Sequence, residues 1–180
     1  MTTILGISGS LRQASYNSGL LRAARDLRPA HIELASIAGI PLFNADEEAE
    51  GMPAAVTALR QRVLAADGLL LASPEYNNSV PGVAKNAIDW LSRASSDTGN
   101  VFKGKAVAII GATPGGFGTI MGQSAWLPVM RTLRARIWTG GRLLVSGAGN
   151  HFDERGDLVD GELRKRLDDF LEGFLHFCAG

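Results

Sequence analysis

The sequence predicts an α/β fold: a parallel sheet of five strands covered by helices on both faces. Short apolar runs of strand length alternate with segments whose apolar residues recur at helical spacing. The runs are apolar throughout, which is the pattern of strands buried on both faces. Right-handed crossovers then share the helices between the two sides. At 180 residues the chain is expected to form one domain spanning 1–180, long enough for a full core.

Ile4 to Ser8 is the first strand by its length and its Ser-Gly-Ser ending. Leu20, Ala23, Ala24 and Leu27 follow at helical spacing, and Pro29 stops that helix. His31 to Ala35 is a weaker strand, and 37–52 reads as loop with Pro41 and Gly51 as punctuation. Pro53 opens a helix whose apolar stripe is Val56, Leu59, Val63 and Ala66. "GLLLAS", 68–73, is the clearest strand. After the loop "PEYNNSVPG" comes a helix carrying Ala84, Ala87, Ile88 and Leu91, with Pro81 suited to its first position. "KAVAIIGA", 105–112, is the fourth strand, and the glycine-rich loop "TPGGFGTIMG" follows it. The next helix is expected to bury Leu127, Met130, Leu133 and Ile137, and Pro128 to make it start late or kink. "RLLVSG", 142–147, is the fifth strand. Asp160 caps a last helix with Leu163, Leu167, Phe170, Leu171, Phe174 and Phe177 facing inward.

Composition narrows the function classes. Lysine plus arginine, 18, balances aspartate plus glutamate, 18, so there is no nucleic-acid footprint and no basic membrane-surface helix. The single cysteine, Cys178, forms no internal disulfide, and no cysteine-histidine cluster has zinc spacing. His31, His151 and His176 are scattered, so no metal site is expected, and Lys85 and Asp89 read as a helix-surface pair. No stretch approaches the ~20 apolar residues of a membrane span. The first apolar run has no basic region before it and is too short for a signal peptide. These features predict a soluble cytoplasmic protein.

In such a fold, ligands bind beyond the carboxyl ends of the strands, where strand order reverses. That points to 9–18, 74–82 and 112–119. The first loop, "GSLRQASYNSGL", has neither the Gly-x-Gly-x-x-Gly spacing of dinucleotide folds nor the Gly-Lys-Ser/Thr ending of triphosphatases. It leads into a helix N-terminus, which suits an anion. Ser10, Ser15, Asn17 and Ser18 add donors, and Arg12 adds a charge-assisted bond to phosphate oxygens. The competing reading is a polar turn with a serine or asparagine helix cap. Glu33 lies within the second strand and not at its end, where a dinucleotide ribose would need an acid. The loop also has no lysine for a triphosphate. A monophosphate held without metal is the better guest.

The loop after the third strand offers the Tyr76 ring beside Glu75, Asn77 and Asn78, which suits the edge and face of a flat heteroaromatic ring. It also reads as a polar turn before a helix. The loop after the fourth strand would let a ligand lie against bare backbone, or would be a surface loop.

At these residues the sequence resembles a known family. "GSLRQASYN", "PEYNNSVPGVAKNAIDWLSR" and "GATPGGFG", in this order, are similar to the NADPH-dependent FMN reductases, a flavodoxin-like group that includes chromate and quinone reductases. The resemblance covers nearly the whole chain. It implies a flavodoxin-like three-layer sandwich with strand order 2-1-3-4-5 and FMN across the switch point. It implies that Ser10, Arg12, Ser15, Tyr16, Asn17 and Ser18 line the phosphate site. Pro74, Glu75, Tyr76 and Asn77 would border the isoalloxazine, with Thr113, Gly115 and Gly116 on its other side. It implies a homodimer or homotetramer, NADPH or NADH as donor, and quinones, flavins, chromate or azo compounds as small-molecule acceptors. Turnover would be two-electron and ping-pong, with the flavin and not a side chain carrying the chemistry. Two other readings are a reductase using flavin as a diffusing substrate and a flavodoxin-type electron carrier. Such carriers are usually strongly acidic, and a net charge of +0 argues against the second.

Overall fold

A computed structural model of the chain describes residues 1–93 and 99–180. The elements run β1 (Ile4–Ser8), α1 (Tyr16–Leu27), β2 (Ile32–Ala35), α2 (Ala45–Glu50), α3 (Ala54–Ala65), β3 (Gly68–Ala72) and α4 (Gly82–Ser92). They continue with β4 (Ala106–Ala112), α5 (Ile120–Thr132), β5 (Arg136–Ile137), β6 (Leu144–Val145), a 3-10 turn at Ala148–Asn150 and α6 (Gly161–Ala179). The sheet is parallel in the order β2-β1-β3-β4-β5, with β6 also paired to β4. Ile4 stands between Ile32 on one side and Gly68 on the other, and Gly68 is in turn opposite Ala106. The sequence of neighbours reverses between β1 and β3, so the crevice there is the ligand edge of the fold.

Alternation along the strands decides the two faces. Ile4, Leu70, Ala108 and Ile110 point into a core closed by Leu20, Leu21 and Ala24 of α1 and Leu167, Phe170, Leu171 and Phe174 of α6. Leu5, Ile7, Leu69, Leu71 and Val107 point the other way, into a core closed by α3, α4 and α5. Leu69, Leu70 and Leu71 are each at most 1% exposed, so β3 has no polar face, as its apolar run requires. Each such side chain contributes about 1.5–3 kcal/mol.

Four expectations change. The segment 37–52 is not all loop: the Asn44 side chain accepts from the Asp46 N–H at 3.0 Å and caps α2, whose first turn is acidic. Pro81 sits at the cap of α4 and not at its first helical position. The helix around Pro128 does not start late; it runs from Ile120 to Thr132 with Pro128 inside. Pro128 has no N–H to donate to the Ser124 carbonyl, but both residues lie on the exposed face, where that carbonyl is open to solvent. Its buried face is Gly122, Trp126 and Met130. Leu127 is 45% exposed, and Ile137 belongs to β5, because Arg134 at φ +60° turns the chain out of the helix.

The fifth strand is the fourth correction. In place of one strand over 142–147, β5 pairs with Ala106 and Val107 while β6 pairs with Gly111 and Ala112. Between them the Trp138 ring leaves the sheet and packs edge-on against Phe170 of α6, with centroids 4.6 Å apart. The chain loops around that indole, and two short strands fill one sheet position.

Candidate functional site

The three loops meet. A cleft of about 400 Å³ opens beyond the carboxyl ends of β1, β3 and β4. Ser10, Arg12, Ser15, Tyr16 and Asn17 form one end, and Pro74, Glu75, Tyr76 and Thr113 form the other. Ala112 and Pro114, which the sequence did not single out, complete the wall. Ser18, Asn77, Gly115 and Gly116 are not in it. Two other hollows lie along the sheet edge against Leu127, Ile137 and Thr139, away from the loops that converge here.

At the α1 end, Ser15 caps the helix: its hydroxyl accepts from the Ser18 N–H at 3.3 Å. The N–H groups of Gln13, Ala14, Tyr16 and Asn17 have no acceptor among the described residues. They sit at the positive end of the helix. The Arg12 guanidinium donates to the Ala14 carbonyl at 2.5 Å and lies 5.1 Å above the Tyr16 ring, so it is held against the loop. The Ser10 hydroxyl accepts from the Arg12 N–H at 3.3 Å and keeps its own proton to donate. Backbone N–H groups, a hydroxyl and a guanidinium, with no carboxylate among them, form a donor set that fits a terminal phosphate.

Asn17 serves otherwise. Its side chain is 3% exposed and is taken up by the Ala112 peptide, so only its backbone N–H is left for an anion. Ser18 turns away to donate to the Ser8 hydroxyl at 2.9 Å, in a neighbouring hollow against β2.

At the β3 end the loop is a tight hairpin. Tyr76 and Ser79 exchange backbone bonds of 3.1 and 3.0 Å. Asn77 and Asn78 occupy the turn at φ +51° and +59°, a conformation asparagine tolerates better than most residues. The polar-turn reading therefore holds for the backbone here, and the turn leaves Tyr76 52% exposed at the cleft mouth. Glu75 does not offer a free carboxylate: its Oε2 accepts from the Gly122 N–H at 2.7 Å, in the first turn of α5. Thr119, the cap residue of α5, makes no side-chain cap bond, and Glu75 supplies one from outside the helix. A Cβ on Gly122 would lie 3.2 Å from the Glu75 Cβ and from the Ser79 carbonyl, a tight fit in which those neighbours would have to give by a few tenths of an ångström.

Beneath the hairpin, Trp126 donates from Nε1 to the Ser73 hydroxyl at 2.8 Å, and Ser73 donates to the Pro74 carbonyl at 3.1 Å. Trp126 and Ser73 are 0% and 1% exposed. A buried indole N–H needs such a partner, and here it fixes the point where β3 becomes loop. Sequence reasoning missed Trp126 and Gly122 as site-building residues; the one signal was a tryptophan inside an otherwise regular apolar stripe. Thr113 donates its N–H to the Val145 carbonyl at 2.9 Å, and its hydroxyl accepts from the Gly115 N–H at 3.3 Å. With the Gly147 N–H donating to the Gly115 carbonyl and the Ala148 N–H to the Thr113 carbonyl, these bonds hold the glycine-rich loop against β6 and the chain after it.

Comparison with known proteins agrees with this geometry. The family model for NADPH-dependent FMN reductase matches residues 2–150. The chain is 45% identical over 171 residues to the NAD(P)H-dependent FMN reductase of Pseudomonas aeruginosa, covering 94% of this chain and 91% of that one. It is 35% identical to a 2-hydroxy-1,4-benzoquinone reductase of a Burkholderia species, covering 93% and 91%. In structure it is similar to FerB, a flavoenzyme NAD(P)H:(acceptor) oxidoreductase from Paracoccus denitrificans, with a TM-score of 0.87, 29% identity, and 99% and 98% of the two chains covered. With its sheet order, its three converging loops and these matches, the chain belongs to the NADPH-dependent FMN reductase family.

Proposed function

We propose that the protein is an FMN-dependent NAD(P)H oxidoreductase that reduces quinones and related acceptors. The observation that carries this is the cleft itself. One end offers unpartnered N–H groups, Ser10 and Arg12. The other is walled by Pro74, Tyr76 and Thr113, and the two ends are tied together through Asn17. Bound there, FMN would take a hydride equivalent from the reduced nicotinamide and pass two electrons to an acceptor. The protein binds, orients and excludes water. Gln13, Ala14, Tyr16 and Asn17 would hold the phosphate through backbone N–H groups, and Ser10 and Arg12 through side chains. Pro74, Tyr76 and Thr113 would border the ring. Asn77, Gly115 and Gly116 would contribute backbone near the mouth, and Ser18 would brace the loop through Ser8.

Finer points of this reading rest on the family resemblance. We take the chain as a single flavin-binding domain that assembles as a homodimer or homotetramer. Leu42, Phe43 and Val83, exposed near the start of α4, supply apolar surface for such a contact. No helix among the described residues is long and apolar enough to cross a membrane, and a single free cysteine fits a reducing cytoplasm.

Calorimetry with FMN, FAD and riboflavin tests the reading. FMN binds in the micromolar range or tighter and above both others, because the donor set closes on a terminal monophosphate. Equal or tighter binding of FAD rejects the site as drawn. Steady-state plots with NADPH and a benzoquinone are parallel, since donor and acceptor take turns at one open face; intersecting lines across several acceptors reject that sequence of events.

A further inference from the structure

The anion-binding donors include the N–H groups of Gln13 and Ala14, which precede α1 and belong to no strand or helix. Such a loop keeps a fixed geometry only where other parts of the chain hold it. Arg12 supplies one hold, through the Ala14 carbonyl. A second comes from the far end of the chain, beyond residue 150, where the family match stops.

Phe152 and Leu158 pair as the two arms of a hairpin. At its turn the Asp153 N–H donates to the Asp157 carbonyl at 3.0 Å, and the Gly156 N–H to the Asp153 carbonyl at 2.9 Å. The Asp153 carboxylate accepts from the N–H groups of Arg155 and Asp157 at 3.0 and 2.8 Å. These donors are used up inside the turn, which suits the hairpin to brace a neighbour and not to bind an anion itself.

The neighbour it meets is the anion loop. Gly156 stands at φ +76°, and a Cβ there would lie 2.7 Å from the carbonyl carbon and oxygen of Ala14. A Cβ on Gly19, in α1, would lie 1.8 Å from the Gly156 carbonyl oxygen. The two glycines let backbone rest on backbone. From α1, Arg22 reaches across: Nε donates to Asp157 at 2.5 Å, and Nη2 to the carbonyls of Gly156 at 3.1 Å and Arg155 at 3.4 Å. The side chains of Arg22 and Asp157 are 31% and 48% exposed, so the ion pair adds little stability. What the planar fork provides is orientation, by engaging three consecutive residues. The Phe152 ring packs 5.1 Å from the ring of Tyr16, over which the Arg12 guanidinium lies.

We infer that the Phe152–Leu158 hairpin, clamped to α1 by Arg22, positions the anion loop from outside it, and that Arg22 and Gly156 are positioning residues for the flavin phosphate. This rests on the flavin reading above and deepens it. The Ala14 carbonyl is gripped by Arg12 and backed by Gly156. Displacing the hairpin frees that peptide to turn, and the N–H groups of Ala14 and Tyr16 on either side of it are no longer held. All of these contacts fall on the loop and on α1, so the brace acts on the phosphate and not on the ring.

The test uses the full chain with Arg22→Ala and Gly156→Ala, titrated with FMN and with riboflavin, and unfolded by urea without flavin. Each variant is expected to lose about tenfold in FMN affinity, the low end for losing one charge-assisted bond, and less than about twofold in riboflavin affinity. Arg22→Ala should unfold close to the wild type, and it carries the test alone if Gly156→Ala does not fold. Equal weakening of FMN and riboflavin overturns the inference, because a general loosening of the fold acts on both. So does unchanged FMN affinity in Arg22→Ala. The wild type separates the two levels. If it binds FMN no better than riboflavin, the phosphate site falls and the brace with it. If it prefers FMN and the variants keep that preference, the brace alone is rejected.

Discussion

The side-chain amide of Asn17 closes two hydrogen bonds on the peptide of Ala112: Nδ2 donates to the carbonyl at 2.9 Å, and Oδ1 accepts from the N–H at 3.0 Å. One residue lies in the first turn of α1 and the other at the last position of β4. The pair fixes the α1 end of the cleft against the end of β4, and it is buried, so water does not compete for it.

Asn17→Ala therefore acts on stability first. It leaves a buried donor and a buried acceptor unpaired, which costs about 2–6 kcal/mol for the two groups. Urea unfolding without flavin should show that loss. A variant that unfolds like the wild type but binds FMN weakly would make the side chain a ligand and not a tie.

Arg12 and Ser15 divide differently. Arg12→Ala removes a charge-assisted bond worth about 1.5–3 kcal/mol, so FMN affinity falls roughly 10- to 150-fold. The effect shrinks as salt rises. Ser15→Ala removes the cap on α1, so about 1 kcal/mol of stability is lost even without flavin. Riboflavin has the same ring and no phosphate, and its affinity should hardly change in Arg12→Ala. Parallel weakening of riboflavin and FMN would exclude a phosphate at this loop.

Glu75 works through α5. Glu75→Gln keeps an acceptor for the Gly122 N–H, whereas Glu75→Ala leaves the first turn uncapped, at about 1 kcal/mol. The alanine variant should lose quinone turnover more than FMN affinity, because the hairpin bearing Tyr76 loses its anchor. Near-ultraviolet circular dichroism reports the same event through Trp126, and the glutamine variant should resemble the wild type in both. Identical behaviour of the two substitutions would show that the bond to Gly122 is not what matters.

Cys178 lies at the opposite end of the sheet, against Gly68, where a Cβ on the glycine would come within 2.5 Å of Sγ. Burial pushes its thiol up to about 11, so the reactive thiolate is scarce at neutral pH. Ellman's reagent should label the native protein slowly at pH 8 and the urea-unfolded protein at once. The linkage follows from the same shift. The folded form holds its proton above the ordinary thiol value of 9.0, so this stability is complete below pH 9 and is lost as pH rises toward 11. Rapid labelling of the folded protein at pH 8 would contradict it.

Most of the fold could be read in advance because its signals are local. A five-residue apolar run such as Gly68–Ala72, or a stripe such as Leu163, Leu167, Phe170 and Phe174, reports its own burial. The corrections at the end of α5 and in the fifth strand share one cause. Over residues 133–147 the apolar residues fit a longer helix and a single strand equally well, and the Trp138 ring, by packing on α6, chose neither.

The sequence alone determined the first four strands, that three loops end on the same edge of the sheet, and that the first of them leads into a capped helix N-terminus. Periodicity and helix-end chemistry act over a few residues, so they are written in neighbouring letters. Only the tertiary structure decided what Asn17, Glu75 and Trp126 do. Their partners lie 95, 47 and 53 residues away, at Ala112, Gly122 and Ser73. A side-chain amide, a carboxylate and an indole N–H each look like a free ligand until the packing of the sheet brings a backbone or hydroxyl partner within 3 Å.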